Sequence, residues 1–498
     1  MSAEHVTDIL ILGAGFSGLA MAMEARRRGF DDIAILEKAD DVGGTWRENT
    51  YPGVACDVPS HLYSFANHLN PDWSTCYAGG GEIWAYMKNV AQREGLYELC
   101  RFGRTFRSAV WDGARWQVET EEGERWSARV LVSGLGALHI PKTPDIPGVE
   151  SFPGTMMHSA RWDHSVDLAG RRVAVIGSGA SAVQFVPAVA QTAARLTVFQ
   201  RTAPYVLPRP DGPIRPWVRA LYRRFPILPR LRRRLIFKFF EMRHATFRGE
   251  ARAVRIGMKF WRRALEKSFP DPADQARLTP DYRIGCKRVL SSNDWYPALA
   301  RDNVDLVTSG LERFEGRTLI ARDGTRVEAD VVVWGTGFHV ADSLARMDFR
   351  GVDGRPIAEA WKNGLEAHLG TALDGFPNLF ILLGPHTGLG HNSVVLMIEA
   401  QAEHVGRLLA AMRAEGREAV APKPAAQAAF EAEMERRLEG MVWQDGGCSS
   451  WYQDADGKLT TLWPGTVAEY QTRMAASGLE QYQDIPPAPS QDRIPQEA

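Results

Sequence analysis

The sequence predicts an α/β fold with two nucleotide-binding units and a helical insertion, and three observations carry that prediction. Two glycine-rich turns, Gly13-Ala-Gly15-Phe16-Ser17-Gly18 and Gly177-Ser178-Gly179-Ala180-Ser181-Ala182, each follow a short apolar run and open a segment of helical spacing. After the second turn comes a stretch, 215–263, holding sixteen Lys/Arg against two acids, Glu241 and Glu250. The bulk properties agree with a globular enzyme-sized chain. At 498 residues, with 45% hydrophobic and 24% charged content, the length suggests two to four domains. A net charge of −1 gives the chain as a whole no bias toward nucleic acid or membrane.

The first unit reads clearly. Asp8–Leu12 is a buried parallel strand. Gly13 permits the tight turn, Gly15 lets backbone approach a pyrophosphate, and Gly18 allows close helix–strand packing. Phe16 and Ser17 complete the turn, and Leu19 to Arg28 follows at helical spacing. The next strand, Ile33–Leu36, ends at Glu37-Lys38. An acid there accepts hydrogen bonds from ribose hydroxyls and repels a 2′-phosphate, so this unit is expected to take FAD or NAD rather than NADP. Gly43-Gly44-Thr45-Trp46, Tyr51-Pro52-Gly53 and Asp57-Val58 come next. A glycine pair lets backbone run against a flat ring system.

The second unit repeats the pattern with one change. Arg171–Ile176 enters the turn Gly177–Ala182, and Leu196–Phe199 ends at Gln200-Arg201-Thr202. A cation now stands where the first unit has an acid. Arg201 can hold a 2′-phosphate and Thr202 can add a hydroxyl bond, so NADPH is expected over NADH. Both units are therefore Rossmann-like dinucleotide-binding domains.

Just ahead of the second unit lies Phe152-Pro-Gly154-Thr-Met-Met-His158-Ser-Ala-Arg-Trp162-Asp163. It resembles the signature of the type I Baeyer–Villiger monooxygenases (class B flavoprotein monooxygenases), Phe-x-Gly-x-x-x-His-x-x-x-Trp-Pro/Asp, at every fixed position. The run Gly43 to Asp57 resembles a second motif of that family, in which the final Asp lies near the flavin, and Tyr63 resembles a further flavin-contacting position. The resemblance implies an FAD-containing, NADPH- and O2-dependent enzyme that converts ketones to esters or lactones through a C4a-peroxyflavin, with sulfoxidation alongside.

It also implies roles. In Gly285-Cys286-Lys287-Arg288, the Arg of a Lys-Arg pair faces the flavin and pairs with the earlier Asp, which makes Arg288, Asp57 and Lys287 the catalytic set. A fixed cation favours the deprotonated, nucleophilic peroxide, because an opposite charge within ~4–6 Å lowers a pKa by ~1–3 units. Gly335-Thr336-Gly337-Phe338 joins the two domains near the flavin, and Asn392 and His391, at the start of the helix Val394 to Met412 whose N-terminus faces the flavin, are expected to contact it. Trp451 of Ser450-Trp451-Tyr452 resembles a Trp set against the nicotinamide ribose. His158 reads as a structural residue at the domain junction rather than a general base. The alternatives are an N- or S-oxygenating flavin monooxygenase and, more distantly, an NADPH:acceptor reductase.

Pro-rich and turn-rich segments divide the chain into a FAD domain in two parts (1–140 and 371–498), a NADPH domain in two parts (141–211 and 276–370), and a helical insertion (212–275). The basic stretch 215–263 reads first as an insertion covering the active site. Membrane-surface contact is the second reading, and nucleic acid is not expected. The five cysteines (Cys56, Cys76, Cys100, Cys286, Cys448) form no Cys-x-x-Cys, so neither a zinc knuckle nor a dithiol redox pair is expected, and the sparse, odd set suits a reducing compartment. The chain runs straight into a strand, and no apolar run approaches the ~20 residues of a span, so a cytoplasmic location is expected. The substrate is expected to be a small-molecule ketone or sulfide with O2. The sequence leaves monomer and dimer open.

Overall fold

The computed structural model describes residues 4–339, 347–454 and 456–486. Two parallel-cored sheets carry the two glycine turns. The first has eight strands, in the order Asp348–Arg350, Phe106–Trp111, Trp116–Thr120, Arg125–Ser133, Glu4–Leu12, Ile33–Glu37, Cys100–Phe102, with Leu379–Ile381 also pairing Arg125–Ser133. Its centre is parallel, Ile9 to Leu12 facing Ile33 to Leu36 on one side and Val130 to Ser133 on the other. Ile9, Leu10, Ile11 and Leu12 are fully buried, as a strand covered on both faces requires. The strand starts earlier than the apolar run, at Glu4, because Arg125 to Ala128 pairs with its exposed beginning.

The second sheet has five strands, all parallel: Val304–Val307, Arg195–Phe199, Arg172–Ile176, Val331–Trp334, Thr155–His158. Its edge strand is the middle of the signature, His158 lying opposite Trp334. The run 328–334 reads as one strand in sequence but divides. Arg326–Glu328 belongs to a separate three-stranded antiparallel sheet. Asp330 turns the chain by accepting from the Arg172 backbone N–H (3.0 Å) and the Arg172 guanidinium (2.8 Å).

The return to the first sheet also comes before the expected boundary at 371, since Asp348–Arg350 already pairs with Ser108 to Val110. A three-residue strand inside a turn-rich segment is too short to show a period. The Pro- and Gln-rich tail lies, from 487 on, outside the described residues.

The basic stretch forms helices Pro216–Arg224, Ile227–Met242, His244–Phe247 and Ala251–Ser268. Its inward anchors are apolar and polar together, with Phe240, Phe247, Trp261 and Leu265 buried. The buried Arg233 guanidinium donates to the carbonyls of Leu62 (2.8 Å) and Ser64 (2.8 Å) and pairs with Glu399 at 3.3 Å. Among the described residues, no helix is long and apolar enough to cross a membrane.

Candidate active site

Both turns have the shape of a dinucleotide cradle. Gly13 sits at φ 94°, and a Cβ there would lie 2.9 Å from the Gly134 carbonyl oxygen. A Cβ on Gly18 would lie 1.8 Å from the Gly13 oxygen, so the helix Phe16–Arg27 can start where it does only with glycine. A Cβ on Gly44 would come 3.0 Å from the Gly15 Cα, so the second glycine motif is folded directly onto the first turn. Glu37 is buried, its two oxygens accepting from Ala14 N (2.7 Å) and Ala39 N (2.9 Å), while Lys38 is exposed beyond it. In the second unit Gly177 sits at φ 112° with the Gly335 oxygen 2.5 Å from a built Cβ, and around Gly179 the space is open. Ser178 donates to the Thr202 carbonyl (3.2 Å), tying the turn to the next strand end. Ala180 and Ser181 open the helix Ala180–Val189.

The flavin-side motif residues converge. Trp46 Nε1 donates to the Tyr63 hydroxyl (3.2 Å), and the Tyr63 ring meets Trp46 and Phe16 edge-on at 5.5 and 5.3 Å. Val58 is buried beside them, and Thr45 starts the short helix Thr45–Glu48. Beyond this cluster lies the central charge pair. Arg288 donates from Nε (3.0 Å) and Nη2 (2.6 Å) to one oxygen of Asp57, across 231 residues of sequence. Arg288 keeps 40% of its side chain exposed and Asp57 24%. Asp57 holds the guanidinium well above its ordinary value. Burial works to raise Asp57, but the charge and hydrogen bonds of Arg288, with Arg243, prevail and hold the carboxyl below the usual range.

Two residues here were not read from the sequence. Arg243, at the end of the insertion's second helix, lies over the Phe240 ring at 4.7 Å and acts electrostatically on both Asp57 and Arg288. Its only sequence signal was membership of the basic stretch. Tyr452 is fully buried beside the pair, and burial pushes its hydroxyl up to about 12. Its neighbour Trp451 is 45% exposed and packs on Tyr452 at 4.4 Å.

Lys287 diverges from Arg288. It sits over Tyr282 at 5.0 Å, and its pKa is lowered by burial and then by the charge of Arg201. Arg201 and Lys287 are thus neighbouring cations, and Arg201 is exposed with no carboxylate partner among the described residues.

The Asn392 amide is held by Glu241 (2.8 Å) and the His391 ring by the same carboxylate (3.3 Å), so the side chains of the glycine-rich loop point to the insertion. Glu241 also accepts from Val467 N (3.2 Å) and Ala468 N (3.0 Å) at a helix start. Burial would raise its pKa, but these four donors pull it down to about 2. A cavity of about 730 Å³ lies beside this strut, lined by Glu241, His244, Arg437 and Glu469 among others, and its lining includes neither the Asp57–Arg288 pair nor either glycine turn.

The signature forms the joint between the two sheets. Arg161 pairs with Glu48 at 3.1 Å, His164 bonds Thr50 at 2.9 Å, and the Trp162 ring meets Phe185 at 5.4 Å. Tyr51 donates to Gln184 (2.9 Å), and a Cβ on Gly53 would lie 2.5 Å from the Gln184 oxygen. His158 Nδ1 accepts from Ala160 N (3.1 Å), and burial lowers its pKa. Thr336 donates to the Lys142 carbonyl (2.5 Å), and Lys142 N donates to Gly337 O (2.9 Å), closing the linker.

The cysteines depart from the set expected for a reducing compartment. Cys286 and Cys448 form a disulfide across 162 residues. No local spacing announces it, because the two sulfurs meet only through the tertiary fold. Cys56, Cys76 and Cys100 are free.

Two dinucleotide cradles meeting at a carboxylate-clamped guanidinium define a pyridine-nucleotide-dependent flavoprotein. Residues 10–226 match the family model described as pyridine nucleotide-disulphide oxidoreductase. A Baeyer-Villiger monooxygenase of Streptomyces coelicolor is 47% identical over 98% of this chain and 94% of its own length. One of Pseudomonas aeruginosa is 41% identical over 93% and 88%. An oxidized steroid monooxygenase bound to NADP superposes with a TM-score of 0.86 at 30% identity, covering 96% of this chain and 99% of that one. The chain belongs to the Baeyer–Villiger monooxygenase family.

Proposed function

We propose that this protein is an FAD-containing, NADPH- and O2-dependent monooxygenase that inserts one oxygen atom beside the carbonyl of a small ketone, giving an ester or lactone. The observation that carries this reading is the Asp57–Arg288 pair, a permanently charged guanidinium fixed within electrostatic reach of Tyr63 on the flavin side and of Tyr51, which meets the second unit's helix. Bound NADPH supplies the hydride and bound flavin the centre that takes it and activates oxygen.

The rest falls to this chain. The turn Gly13–Gly18, Glu37 and the Gly44–Trp46 motif hold the FAD, with the N–H groups at the helix start facing its pyrophosphate. The turn Gly177–Ser181 holds the pyrophosphate of NADPH, and the neighbouring Arg201 and Lys287 hold its 2′-phosphate. Lys287 therefore serves the nicotinamide cofactor more than the reacting oxygen. Arg288 stays protonated in a low-dielectric cleft and stabilises negative charge that develops there. Asp57 holds the guanidinium in one orientation and offsets its burial. Tyr452, on the disulfide-tethered segment, lies beside the pair and covers part of it.

The test is a panel of cyclic, linear and aryl ketones beside thioethers and amines. Purified enzyme, NADPH and air are supplied, and products are read by gas chromatography with NADPH consumption in parallel. Ester or lactone matched to NADPH oxidised supports the reading. Sulfoxide or N-oxide alone would replace it with heteroatom oxygenation, and NADPH oxidation only with an added electron acceptor would replace it with a reductase.

A further inference from the structure

The helix Ile227–Met242 is apolar on two faces, and the protein covers one of them. Its inner face, with Arg233, Ile236, Phe237 and Phe240, packs on the first domain's core. Its outer face carries Ile227, Leu231, Leu235, Phe239 and Met242, each 52–66% exposed. These positions recur at three- and four-residue steps, so they form one stripe about 24 Å long. The preceding helix extends it with Trp217 (62%), Leu221 (37%) and Phe225 (48%). Of the fourteen large apolar side chains exposed among the described residues, ten lie between 217 and 260. Soluble surfaces scatter such residues singly, and a concentration of this kind marks an interaction site.

The stripe has a charged border. Arg230, Arg234 and Lys238 run alongside it, exposed and without a carboxylate partner among the described residues, and Arg252, Arg255 and Lys259 do the same on the helix Ala251–Ser268. Sixteen cations and two acids put +14 on residues 215–263, against −15 on the rest of a chain whose net charge is −1. A second copy of this chain would bring +14 against +14, and a nucleic acid would answer the cations but leave the Leu and Phe side chains in water. A surface that takes apolar side chains and offers anions at the same depth is the headgroup region of an anionic bilayer.

We propose that the insertion seats the enzyme peripherally on membranes rich in anionic phospholipid. The stripe of Ile227–Met242 lies among the acyl-chain roots, and the bordering Arg and Lys lie at the phosphates. The binding needs neither cofactor.

The experiment is flotation of the full-length FAD-loaded enzyme with vesicles of pure phosphatidylcholine and of phosphatidylcholine with phosphatidylglycerol. Two variants accompany the wild type: Leu235→Asp with Phe239→Asp, and Arg230→Glu with Arg234→Glu. These side chains are exposed, so the variants should keep wild-type flavin content and NADPH oxidation. Each cation at an anionic surface strengthens partition about fivefold, so wild type should float at least about tenfold more with anionic vesicles, and the charge-reversed variant should lose more than about tenfold. The Leu235/Phe239 variant should fall by a similar factor. Wild type that stays with the soluble fraction overturns the proposal. Equal binding to both vesicle types, or anionic binding unchanged in the Leu235/Phe239 variant, overturns it in favour of lipid-independent or purely polyanionic attraction. Self-association abolished by that variant, with no vesicle binding, overturns it in favour of a dimer face.

Discussion

Removing either partner of the Asp57–Arg288 pair is expected to have unequal costs, and the third charge, Arg243, sets the inequality. Deleting Arg288 leaves Asp57 with a remaining cation nearby, whereas deleting Asp57 leaves two guanidinium groups facing each other. An exposed ion pair is worth about 0–1 kcal/mol, and breaking a buried one costs about 3–5 kcal/mol. With side-chain exposures of 40% and 24%, this pair lies between those limits. Arg288→Ala should therefore destabilise by about 1 kcal/mol and Asp57→Ala by about 3 kcal/mol, with the double variant close to Asp57→Ala or below it. Activity should order the other way. Arg288→Ala removes the charge itself and should lower ester formation by about 10²–10³, while Asp57→Ala, which only releases its orientation, should lower it by about tenfold. The assay is urea denaturation of the four proteins of the cycle, with ester yield and hydrogen peroxide measured on each. Equal stability losses, additive effects in the double variant, or ester formation by Arg288→Ala within about threefold of wild type would refute the reasoning.

Three further outcomes are expected. Arg201→Ala should raise the KM for NADPH by about 30–100-fold, the loss of charge-assisted bonds to a phosphate, and leave the KM for NADH within about threefold; parallel changes in both would remove Arg201 from the 2′-phosphate. Cys448→Ser should lower stability by about 2–5 kcal/mol, the upper figure being that for a loop of this size, and loosen the segment that carries Tyr452; a count of five reactive thiols in the denatured, unreduced wild type, rather than three, would contradict the bond. Glu241→Gln should cost about 1–2 kcal/mol at neutral pH. Because the folded pKa of Glu241 is lowered to about 2, its contribution is complete above the unfolded carboxylate range near 4.5 and declines as pH falls toward about 2. The gap between wild type and variant in denaturant midpoint should therefore be constant from pH 6 to 8 and narrow below about pH 4.

What was legible in the sequence is what depends on near neighbours. Gly13, Gly15 and Gly18 were assigned roles from spacing alone, and the close approaches at Gly13 and Gly18 are those that spacing requires. The strand after each turn announced its terminal acid or cation, Glu37 or Arg201, because strand and turn are set within thirty residues. The break at Ala329-Asp330 was not legible. An apolar run after Glu328 has the composition of one strand, and only the distant Arg172 shows why Asp330 ends one sheet and starts another.

The site was legible in proportion to how far its residues carry a local motif. Asp57 and Arg288 were paired through a family resemblance, and no property of either segment alone brings them together across 231 residues. Arg243 had no such help. It was one of sixteen cations in a stretch whose composition is that of a solvated face, yet its helix turns Arg233, Glu241 and Arg243 inward and Leu235 and Phe239 outward. That inversion follows from what the helix packs on. The first domain presents carbonyls at Leu62 and Ser64, the loop at Asn392 presents an amide, and Asp57 lies within reach of Arg243, so the inner face, which buries Phe240 in the core, also carries the charged groups that satisfy these partners. One helix thus both delivers a cation to the active site and carries an apolar stripe turned away from the protein.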